Sequence, residues 1–331
     1  MTKNKEQYQD PVDEISGGYR ASQVLLTANR LGVFSALGSG AMTLDNLAET
    51  LGADQRGTRI LCDALVAISL LEKEGETYKN TLLAMEYLTP GAPRSKIAML
   101  RHTARLYERW GKLYDVVKNG HPAPDDAVDS SLQEDERDFA LAMADAARVS
   151  ARQTAEMLDL SGAAKMLDVG GGPGLYAIEF ARQNPKLYGV VFDNEKTVRV
   201  AQANIEQAGL SDRISVRTGD AYKDDLGDGY DFILLSNVIH SYSYEDNSVL
   251  VSRCAGALTR GGRLCVKDFL LDPDRTSPAW ASLFAVNMLV NTESGDCYTV
   301  DEVAEWFHRA GLVLDKAMDL TAQSRLVIGR K

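Results

Sequence analysis

A glycine-rich segment in the middle of the chain most constrains what it can fold into. Residues 165–174 read Lys-Met-Leu-Asp-Val-Gly-Gly-Gly-Pro-Gly, a short apolar run that leads into alternating Gly170, Gly172 and Gly174. A second apolar run ends in Asp193, one helix length further on. Glycines let the backbone turn sharply and approach a ligand closely, and the Asp193 carboxylate can accept hydrogen bonds from both hydroxyls of a ribose. The segment therefore predicts a strand, a glycine loop, a helix and a second strand around a nucleotide-containing cofactor.

The spacing of these glycines indicates which cofactor. The pattern is GxGxG, not the GxGxxG of dinucleotide-binding folds. S-adenosylmethionine has no pyrophosphate to bind at a helix N-terminus, so this spacing favours S-adenosylmethionine over a dinucleotide. A glycine loop alone is also typical of an ordinary turn. The sequence downstream favours the cofactor site.

Strand and helix patterns alternate from about residue 165 to the end of the chain. Predicted strands lie at 165–169, 187–193, 213–217, 230–235, 263–269, 312–319 and 324–329. Such alternation predicts an α/β fold with a mainly parallel, Rossmann-like sheet covered on both faces. The last two strands are too close for a crossover helix, so we expect an antiparallel hairpin. This seven-stranded arrangement matches the class I methyltransferases and departs from the dehydrogenases.

In such sheets ligands bind beyond the carboxyl ends of the strands. Four predicted strand ends therefore converge on one cleft, with the glycine loop, Asp193, the pair Asp220-Ala221, and the segment Ser236 to His240. A carboxylate and a neighbouring backbone N–H after the third strand could bind the adenine edge. A carboxylate after a glycine is also a common turn residue, and the coincidence of four strand ends favours the ligand interpretation. The predicted cofactor-binding residues are Gly170, Gly172, Gly174, Asp193, Asp220, Ala221 and Ser236.

Residues 1–95 have the pattern of a separate, mainly helical domain. A helix within 20–37 is interrupted at Gly32 and Gly38, a capped helix begins at Thr43, and a second helix is expected over 55–71. Residues 72–81 are consistent with a small β wing. Together these elements predict a winged-helix fold, which raises DNA binding as an alternative function.

The charges on this domain argue against DNA binding. The second helix offers only Arg56 and Arg59, with Asp63 beside them, and the wing carries three glutamates against two lysines. Such a surface repels phosphate about as strongly as it attracts it. A homodimer interface built on the apolar helices is the preferred role for this domain.

The overall composition excludes several other classes of function. A formal net charge of -11 over 331 residues opposes general affinity for nucleic acid or anionic lipid. The four cysteines, Cys62, Cys254, Cys265 and Cys297, lack metal-ligand spacing, so we expect reduced thiols and no metal. Neither a signal-peptide-like start nor a membrane-spanning apolar stretch is found, and we therefore expect a cytoplasmic protein.

The chain resembles the small-molecule O-methyltransferases of the caffeate and hydroxyindole type, including bacterial enzymes of aromatic and polyketide metabolism. The resemblance spans nearly the whole chain. Its motifs are Leu-Asp-Val-Gly-Gly-Gly-Pro-Gly at 167–174, Phe-Asp at 192–193, Gly-Asp at 219–220, Asn-Val-Ile-His-Ser-Tyr-Ser-Tyr-Glu-Asp at 237–246 and Asn-Met-Leu-Val-Asn-Thr at 287–292. It implies an N-terminal winged-helix dimerisation domain over 1–95, a helical connector and methyltransferase domain over 96–331, and methyl transfer from S-adenosylmethionine to a hydroxyl.

The resemblance also implies that His240 is the general base on the acceptor hydroxyl. A neutral imidazole suits that task near pH 7, although a histidine here could instead hold the strand end or the acceptor by hydrogen bonding. Ser241 and Tyr242 replace the aspartate and tryptophan of the plant enzymes. The glutamate that flanks the base in those enzymes falls at Cys297, with Asp296 and Glu293 close in sequence. We therefore expect weaker orientation of His240.

Two further regions are candidates for the acceptor pocket. Phe284, Asn287, Met288 and Asn291 follow i, i+3, i+4 and i+7, and so share one face of a helix that also carries Trp280. The same spacing would describe a core helix with buried asparagines. Trp110 joins them from the connector helices of residues 96 to about 160, although a buried aromatic is more often a core residue.

Some members of this family keep the cofactor site but catalyse hydroxylation or decarboxylation. Non-methylating chemistry is therefore the alternative function to methyl transfer. The atom that accepts the methyl group, whether oxygen, nitrogen, carbon or sulfur, stays open at this point.

Overall fold

The computed structural model of the protein describes residues 10–92, 94–124 and 136–331. The chain divides into two compact units, with the boundary between Ala104 and Arg105. Within the described residues, no helix has the length and apolar character needed to cross a lipid bilayer.

The N-terminal unit has the helix-turn-helix and wing that the sequence predicts. Its elements are α1 (Pro11–Gly17), α2 (Tyr19–Leu31), α3 (Val33–Leu37), β1 (Ala41–Thr43), α4 (Leu44–Leu51), α5 (Gln55–Ala67), β2 (Leu71–Glu74), β3 (Thr77–Asn80) and α6 (Leu82–Tyr87). Thr43 caps α4 by accepting a hydrogen bond from the backbone N–H of Asn46, and left-handed Gly52 ends that helix. The strands form an antiparallel sheet in the order β1-β3-β2.

Helix α5 is shorter than the sequence pattern indicates. It ends at Ala67, not at residue 71, because Ser69 adopts a left-handed conformation (φ 63°) that a helix cannot continue. Leu71 then begins β2, and the Thr81 hydroxyl donates to the backbone oxygens of Ser69 and Leu70. Although residues 68–71 have helical periodicity, the pairing of β2 with β3 requires an extended chain from Leu71, and the helix ends before it.

Acidic neighbours pair with several basic side chains of this unit. Asp63 accepts hydrogen bonds from Arg59 at 3.1 Å, from Lys73 at 2.7 Å and from the Tyr78 hydroxyl at 2.8 Å. Lys79 forms an ion pair with Glu72 at 2.9 Å. The charge balance noted in the sequence is therefore a set of direct contacts on the α5 and wing surface.

The rest of the chain alternates between strands and helices, as predicted. Helix α7 (Ile97–Trp110) crosses the boundary between the units and is followed by α8 (Leu113–Asn119), α9 (Glu136–Met157), β4 (Lys165–Val169), α10 (Leu175–Gln183), β5 (Tyr188–Asp193), α11 (Glu195–Gln207), β6 (Ile214–Thr218), β7 (Tyr230–Ser236), α12 (Tyr244–Ala257), β8 (Leu258–Asp268), α13 (Ala279–Asn291), α14 (Val300–Arg309), β9 (Val313–Asp319) and β10 (Arg325–Arg330). A 3₁₀ turn, Ile239–Ser241, lies between β7 and α12.

The strands of this second unit form a single seven-stranded sheet among the described residues, in the order β6-β5-β4-β7-β8-β10-β9. The first five of these strands are parallel, and β10 pairs antiparallel with both neighbours. The predicted terminal hairpin is therefore confirmed. Strand order reverses between β4 and β7, so ligand-binding residues are expected at the carboxyl ends of these strands.

Alternate residues of the central strands feed two buried clusters on opposite faces of the sheet. Met166 of β4 and Phe232 of β7 pack with Phe180 of α10 on one face. Leu167 and Ile233, one residue further along the same strands, pack with Trp306 of α14 on the other. This double burial explains the unbroken apolar runs of the central strands and holds their carboxyl ends in place.

Candidate functional site

The glycine loop after β4 has a backbone that other residues could not adopt without strain. Gly170, Gly172 and Gly174 have φ values of 66°, 55° and 75°. A Cβ on Gly170 would lie 2.7 Å from Cγ2 of Val238, which follows β7. The loop therefore lies against the end of β7, and its spacing reflects both backbone conformation and close approach.

Asp193, at the end of β5, bonds directly to this loop. Its Oδ2 accepts the backbone N–H of Gly172 at 2.9 Å, and its Oδ1 accepts that of Asn194 at 2.7 Å. Burial raises the pKa of Asp193, while these backbone donors oppose the rise. Oδ1 also accepts a hydrogen bond from Asn194 Nδ2 at 2.9 Å. A carboxylate has about four acceptor positions, so these three N–H groups leave about one, on Oδ2, for a ribose hydroxyl.

Asp220 and Ala221 follow β6 in a tight turn. Asp220 accepts the backbone N–H of Tyr222 at 2.8 Å and pairs with Lys223 at 2.8 Å, and these contacts lower its pKa, Lys223 most strongly. The carbonyl of Ala221 accepts a hydrogen bond from Arg253 at 2.7 Å. Asp220 therefore stabilises a turn, as one interpretation of the sequence expects. Its position at the end of β6 also leaves the other interpretation, a contact with the adenine, open.

Ser236 ends β7 and offers an unused polar group. The residue is 9% exposed, and its Oγ has no hydrogen-bond partner among the described residues. A buried hydroxyl without a partner is costly unless a ligand or water completes it. Together with the glycine cradle and Asp193, this hydroxyl fits a polar cofactor such as S-adenosylmethionine.

Asp168 is a buried carboxyl group that is not among the predicted site residues. It lies on β4 and is 0% exposed, and burial followed by the charge of Asp193 raises its pKa to about 7. A Cβ on Gly171 would lie 2.8 Å from both Asp168 Cγ and Val191 Cγ1, so the loop sits directly on this carboxyl group. In the sequence, an aspartate within the apolar run of β4 indicates such a buried carboxyl group, because burial of an ionisable group is costly without a function or a partner.

His240 lies in the 3₁₀ turn after β7 and is paired with Asp268, the last residue of β8. Its Nδ1 is 2.7 Å from Asp268 Oδ1, and the two side chains are 12% and 2% exposed. Asp268 Oδ1 also accepts the backbone N–H of Phe269 at 2.8 Å. Burial raises the pKa of Asp268, but the charge and hydrogen bond of His240 outweigh it and the pKa lies below the ordinary value.

This pair corrects the expectation that His240 lacks a carboxylate partner. Asp268 lies one residue before the end of the fifth predicted strand, 263–269, and its position at a strand end was the signal in the sequence. The three residues near the expected position have other contacts. Cys297 is buried, with the pKa of its thiol raised by burial and then by Asp268; Asp296 pairs with Arg275 at 2.6 Å; and Glu293 is exposed.

Aromatic side chains surround the histidine. The ring of Phe284, on α13, is 5.0 Å from the His240 ring in an edge-on arrangement, and 4.5 Å from the ring of Phe269. Trp280, at the start of α13, is 45% exposed, and its ring lies 6.3 Å from Phe269. A flat apolar molecule could pack here beside the imidazole.

The other predicted acceptor residues form a polar network beside this cluster. Asn287 Oδ1 accepts a hydrogen bond from Trp110 Nε1 at 2.9 Å and another from Asn291 Nδ2 at 3.1 Å. Asn291 also caps its own turn by donating to the carbonyl of Asn287 at 2.7 Å. Met288, on the same helix, is buried, with 6% of its surface exposed. The structure thus brings Trp110 into contact with Asn287, which links it to Asn291, and brings Phe284 into contact with His240.

Comparison with known families matches both units. A family model described as an O-methyltransferase domain matches residues 118–313, and one described as an O-methyltransferase dimerisation domain matches residues 13–90. All of the predicted site residues except Trp110 lie within the first of these ranges.

Similar proteins cover almost the full chain. A 3-hydroxy-5-methyl-1-naphthoate 3-O-methyltransferase from Streptomyces sahachiroi is 33% identical over 303 residues, 90% of this chain and 88% of that protein. Human acetylserotonin O-methyltransferase is 33% identical over 310 residues, 88% of this chain and 89% of that protein. The solved structure of human N-acetylserotonin methyltransferase with S-adenosylmethionine superposes with a TM-score of 0.86 at 29% identity, over 100% of this chain and 99% of that one.

Proposed function

Because this chain belongs to the S-adenosylmethionine-dependent O-methyltransferases, we propose that it methylates a hydroxyl of a small aromatic or polyketide-like molecule with His240 as general base. The observation that carries the proposal is the buried contact of 2.7 Å between His240 Nδ1 and Asp268 Oδ1, beside an aromatic cluster. When bound, S-adenosylmethionine supplies an electrophilic methyl group on a sulfonium. The chain must then align the acceptor and remove its proton.

In this proposal, polar groups at the strand ends hold the cofactor. The glycine loop gives close backbone approach, Asp193 accepts hydrogen bonds from the ribose, and Ser236 contributes its unpartnered hydroxyl. Gly170, Gly172, Gly174, Asp220 and Ala221 complete the proposed set. Support comes from their convergence on one edge of the sheet, at the reversal of strand order.

The His240–Asp268 pair supplies the base. With Nδ1 donating to Asp268, the Nε2 atom is left as a hydrogen-bond acceptor and can take a proton from the acceptor hydroxyl. The carboxylate of Asp268 then stabilises the imidazolium, as the aspartate of a catalytic triad does. General-base catalysis of this kind contributes typically about 10²- to 10⁴-fold.

The acceptor is proposed to bind between His240 and helix α13. Phe284 and Met288 supply apolar surface, while Asn287, Asn291 and Trp110 supply a polar edge. The named substrates of two relatives, a hydroxynaphthoate and a tetracenomycin polyketide, are also flat, hydroxylated and polycyclic. A phenolic or enolic hydroxyl on a fused aromatic system is the proposed acceptor.

We also propose that residues up to about 95 dimerise two copies of the chain. Helix α1 buries none of its residues, and it presents Val12 and Ile15 at 70% and 82% exposure. Leu82, at the start of α6, is 84% exposed. Apolar side chains this exposed are typical of an interface surface. Light scattering should give the mass of a dimer for the intact chain and of a monomer for Ile15→Asp, and a wild-type monomer would refute this proposal.

The function is tested by incubating the protein with methyl-labelled S-adenosylmethionine and a panel of phenols, naphthols and hydroxyaryl acids. We expect a product one methyl heavier, with one S-adenosylhomocysteine formed for each methyl transferred. Tight binding of S-adenosylhomocysteine with no labelled product from any acceptor would instead favour non-methylating chemistry in the same cleft.

A further inference from the structure

Lys267 is a buried cation within the cleft that the reaction described above does not use. It lies on β8, next to Asp268, and is 2% exposed. Its Nζ donates to the side-chain oxygen of Asn237 at 2.8 Å and lies 5.2 Å from the centre of the Phe269 ring. An ammonium group has three donors, and this is its one hydrogen bond among the described residues; its charge helps to lower the pKa of the neighbouring Asp268, without a direct ion pair. Two buried N–H groups are left for a ligand.

The register of the sheet locates Lys267 beside the proposed cofactor residues. Lys267 pairs directly with Ser236 on the neighbouring parallel strand, so both side chains leave the same face of the sheet. Ser236 Oγ is itself buried and without a partner among the described residues. Val238, two residues after Ser236, is the side chain that approaches Gly170 of the glycine loop. The Ser236 hydroxyl, which has no hydrogen-bond partner among the described residues, and the Lys267 ammonium group, which has unused N–H groups, thus lie on one face of the sheet. Both are close in the chain or in register to the segment that contacts the glycine loop.

Four carboxyl groups lie at or near the carboxyl ends of these strands. They belong to Asp168, Asp193, Asp220 and Asp268, and those of Asp168 and Asp268 are buried. S-adenosylmethionine carries a sulfonium, an ammonium and one carboxylate. The acidic residues suit its two cations, but its carboxylate requires a positive group, and a buried lysine requires an anion.

We propose that Lys267 binds the carboxylate at the methionyl end of the cofactor, with Asn237 holding the lysine in position. This inference rests on the proposed placement of the cofactor in the cleft. It assigns to β8 two functions on opposite faces of the strand, since Asp268 orients His240 and Lys267 binds the cofactor. The contact between Lys267 and the carboxylate would also favour ligands that carry the amino acid portion of the cofactor over nucleosides that lack it.

The test is calorimetric binding of two ligands to several variants. S-adenosylhomocysteine has the carboxylate, whereas 5′-methylthioadenosine lacks the whole amino acid end. In Lys267→Met we expect affinity for S-adenosylhomocysteine to fall by about 10- to 150-fold, the value of a hydrogen bond to a charged group. Affinity for 5′-methylthioadenosine should change by less than about 2-fold, because no contact to it is removed. Lys267→Arg should retain most of the S-adenosylhomocysteine affinity.

Lys316→Met provides the matched control. Lys316 is an exposed lysine of β9, in the same sheet, and its loss should leave both affinities unchanged. If Lys267→Met does not fold, the wild-type chain can be tested with the decarboxylated analogue 5′-(3-aminopropylthio)-5′-deoxyadenosine. The same 10- to 150-fold loss is expected with wild type, and a smaller one with Lys267→Arg, whose cation is displaced.

Three outcomes would overturn the inference. Equal losses for both ligands in a folded Lys267→Met would assign the lysine to the nucleoside end or to the shape of the cleft, and unchanged affinity for S-adenosylhomocysteine would exclude a carboxylate contact. In Lys267→Met, KM is also compared for a hydroxyaryl acid and its methyl ester. A rise in KM for the acid alone, with cofactor binding unchanged, would show that Lys267 binds the acceptor and not the cofactor. Each of these leaves the proposed function standing, whereas failure of the wild-type chain to bind S-adenosylhomocysteine would refute the cofactor cleft itself.

Discussion

At the glycine-loop end of the cleft, the surface consists mainly of backbone, whereas at the His240 end it consists of side chains from separate elements. The loop approaches Val238 and Asp168 so closely that a single Cβ would overlap them. At the other end, His240 depends on Asp268, 28 residues away, and Asn287 depends on Trp110, 177 residues away. The glycine-loop end therefore depends on the absence of side-chain atoms, and the His240 end depends on hydrogen bonds between side chains.

This difference predicts opposite sensitivities to mutation. Adding an atom should damage the glycine-loop end, because no volume is available there. Removing an atom should damage the His240 end, because a partner is then left without its hydrogen bond. Variants at the two ends should therefore separate cofactor binding from methyl transfer.

The largest effect is expected for His240→Ala. Without a general base, the rate of methyl transfer should fall by about 10²- to 10⁴-fold, while affinity for S-adenosylhomocysteine stays unchanged. Single-turnover rates and calorimetry measure the two quantities. His308→Ala, an exposed histidine on α14, is the control and should behave as wild type. A transfer rate for His240→Ala within a few-fold of wild type would assign the histidine a structural role.

Asp268→Asn keeps the shape of the carboxylate but removes its charge. The contact with His240 is charge-assisted, so we expect kcat to fall by about 10- to 150-fold, with little change in cofactor affinity. Asp315→Asn, at the exposed edge strand β9, removes the same charge as a control. A loss of cofactor affinity in Asp268→Asn, with kcat retained, would show that this carboxylate supports cofactor binding and not the orientation of His240.

Gly171→Ala tests the glycine-loop end. The new Cβ would lie 2.8 Å from Asp168 Cγ and from Val191 Cγ1, and overpacking of this kind costs about 1–3 kcal/mol. We expect weaker binding of S-adenosylhomocysteine and a lower free energy of unfolding, measured by calorimetry and urea denaturation. Gly256→Ala, in helix α12 with no atom near the new Cβ, should show neither loss. Wild-type affinity in Gly171→Ala would mean that the loop can shift freely.

The last effect depends on pH and concerns the buried carboxyl group of Asp168. Its pKa is raised from 3.8 to about 7 in the folded chain, so between these values the folded state holds a proton that the unfolded state has lost. The stability that this group contributes therefore falls as pH rises from about 4 to about 7, by at most ~1.4 kcal/mol per pH unit. Asp168→Asn should remove that dependence.

Urea denaturation of wild type and Asp168→Asn at several pH values measures this slope. The difference in the free energy of unfolding between the two proteins should change steadily over that window and level off above it. A difference that is constant with pH would mean that Asp168 is ionised throughout, as a carboxylate with strong partners would be.

The parts of the protein that sequence alone predicts are those with short-range patterns. The glycine spacing and the strand ends indicated the loop and Asp193, and the alternation of strands and helices indicated the sheet with its terminal hairpin. Period and turn residues act over a few positions, so they can be recognised without knowing what packs against them. Helix α5 departs from its pattern where β2 needs an extended chain, which a local pattern does not record.

Only the tertiary structure decided the partners. Asp268, Asp168 and Lys267 lie within apolar strands, and their contacts follow from which strands are adjacent in the sheet. Pairing between distant segments depends on strand order and register, and a single residue of register changes which face a side chain occupies. The sequence by itself thus determined the fold class and the cofactor and singled out His240 as the candidate base, while packing determined which buried acidic and basic groups lie near that histidine and which lie near the glycine loop.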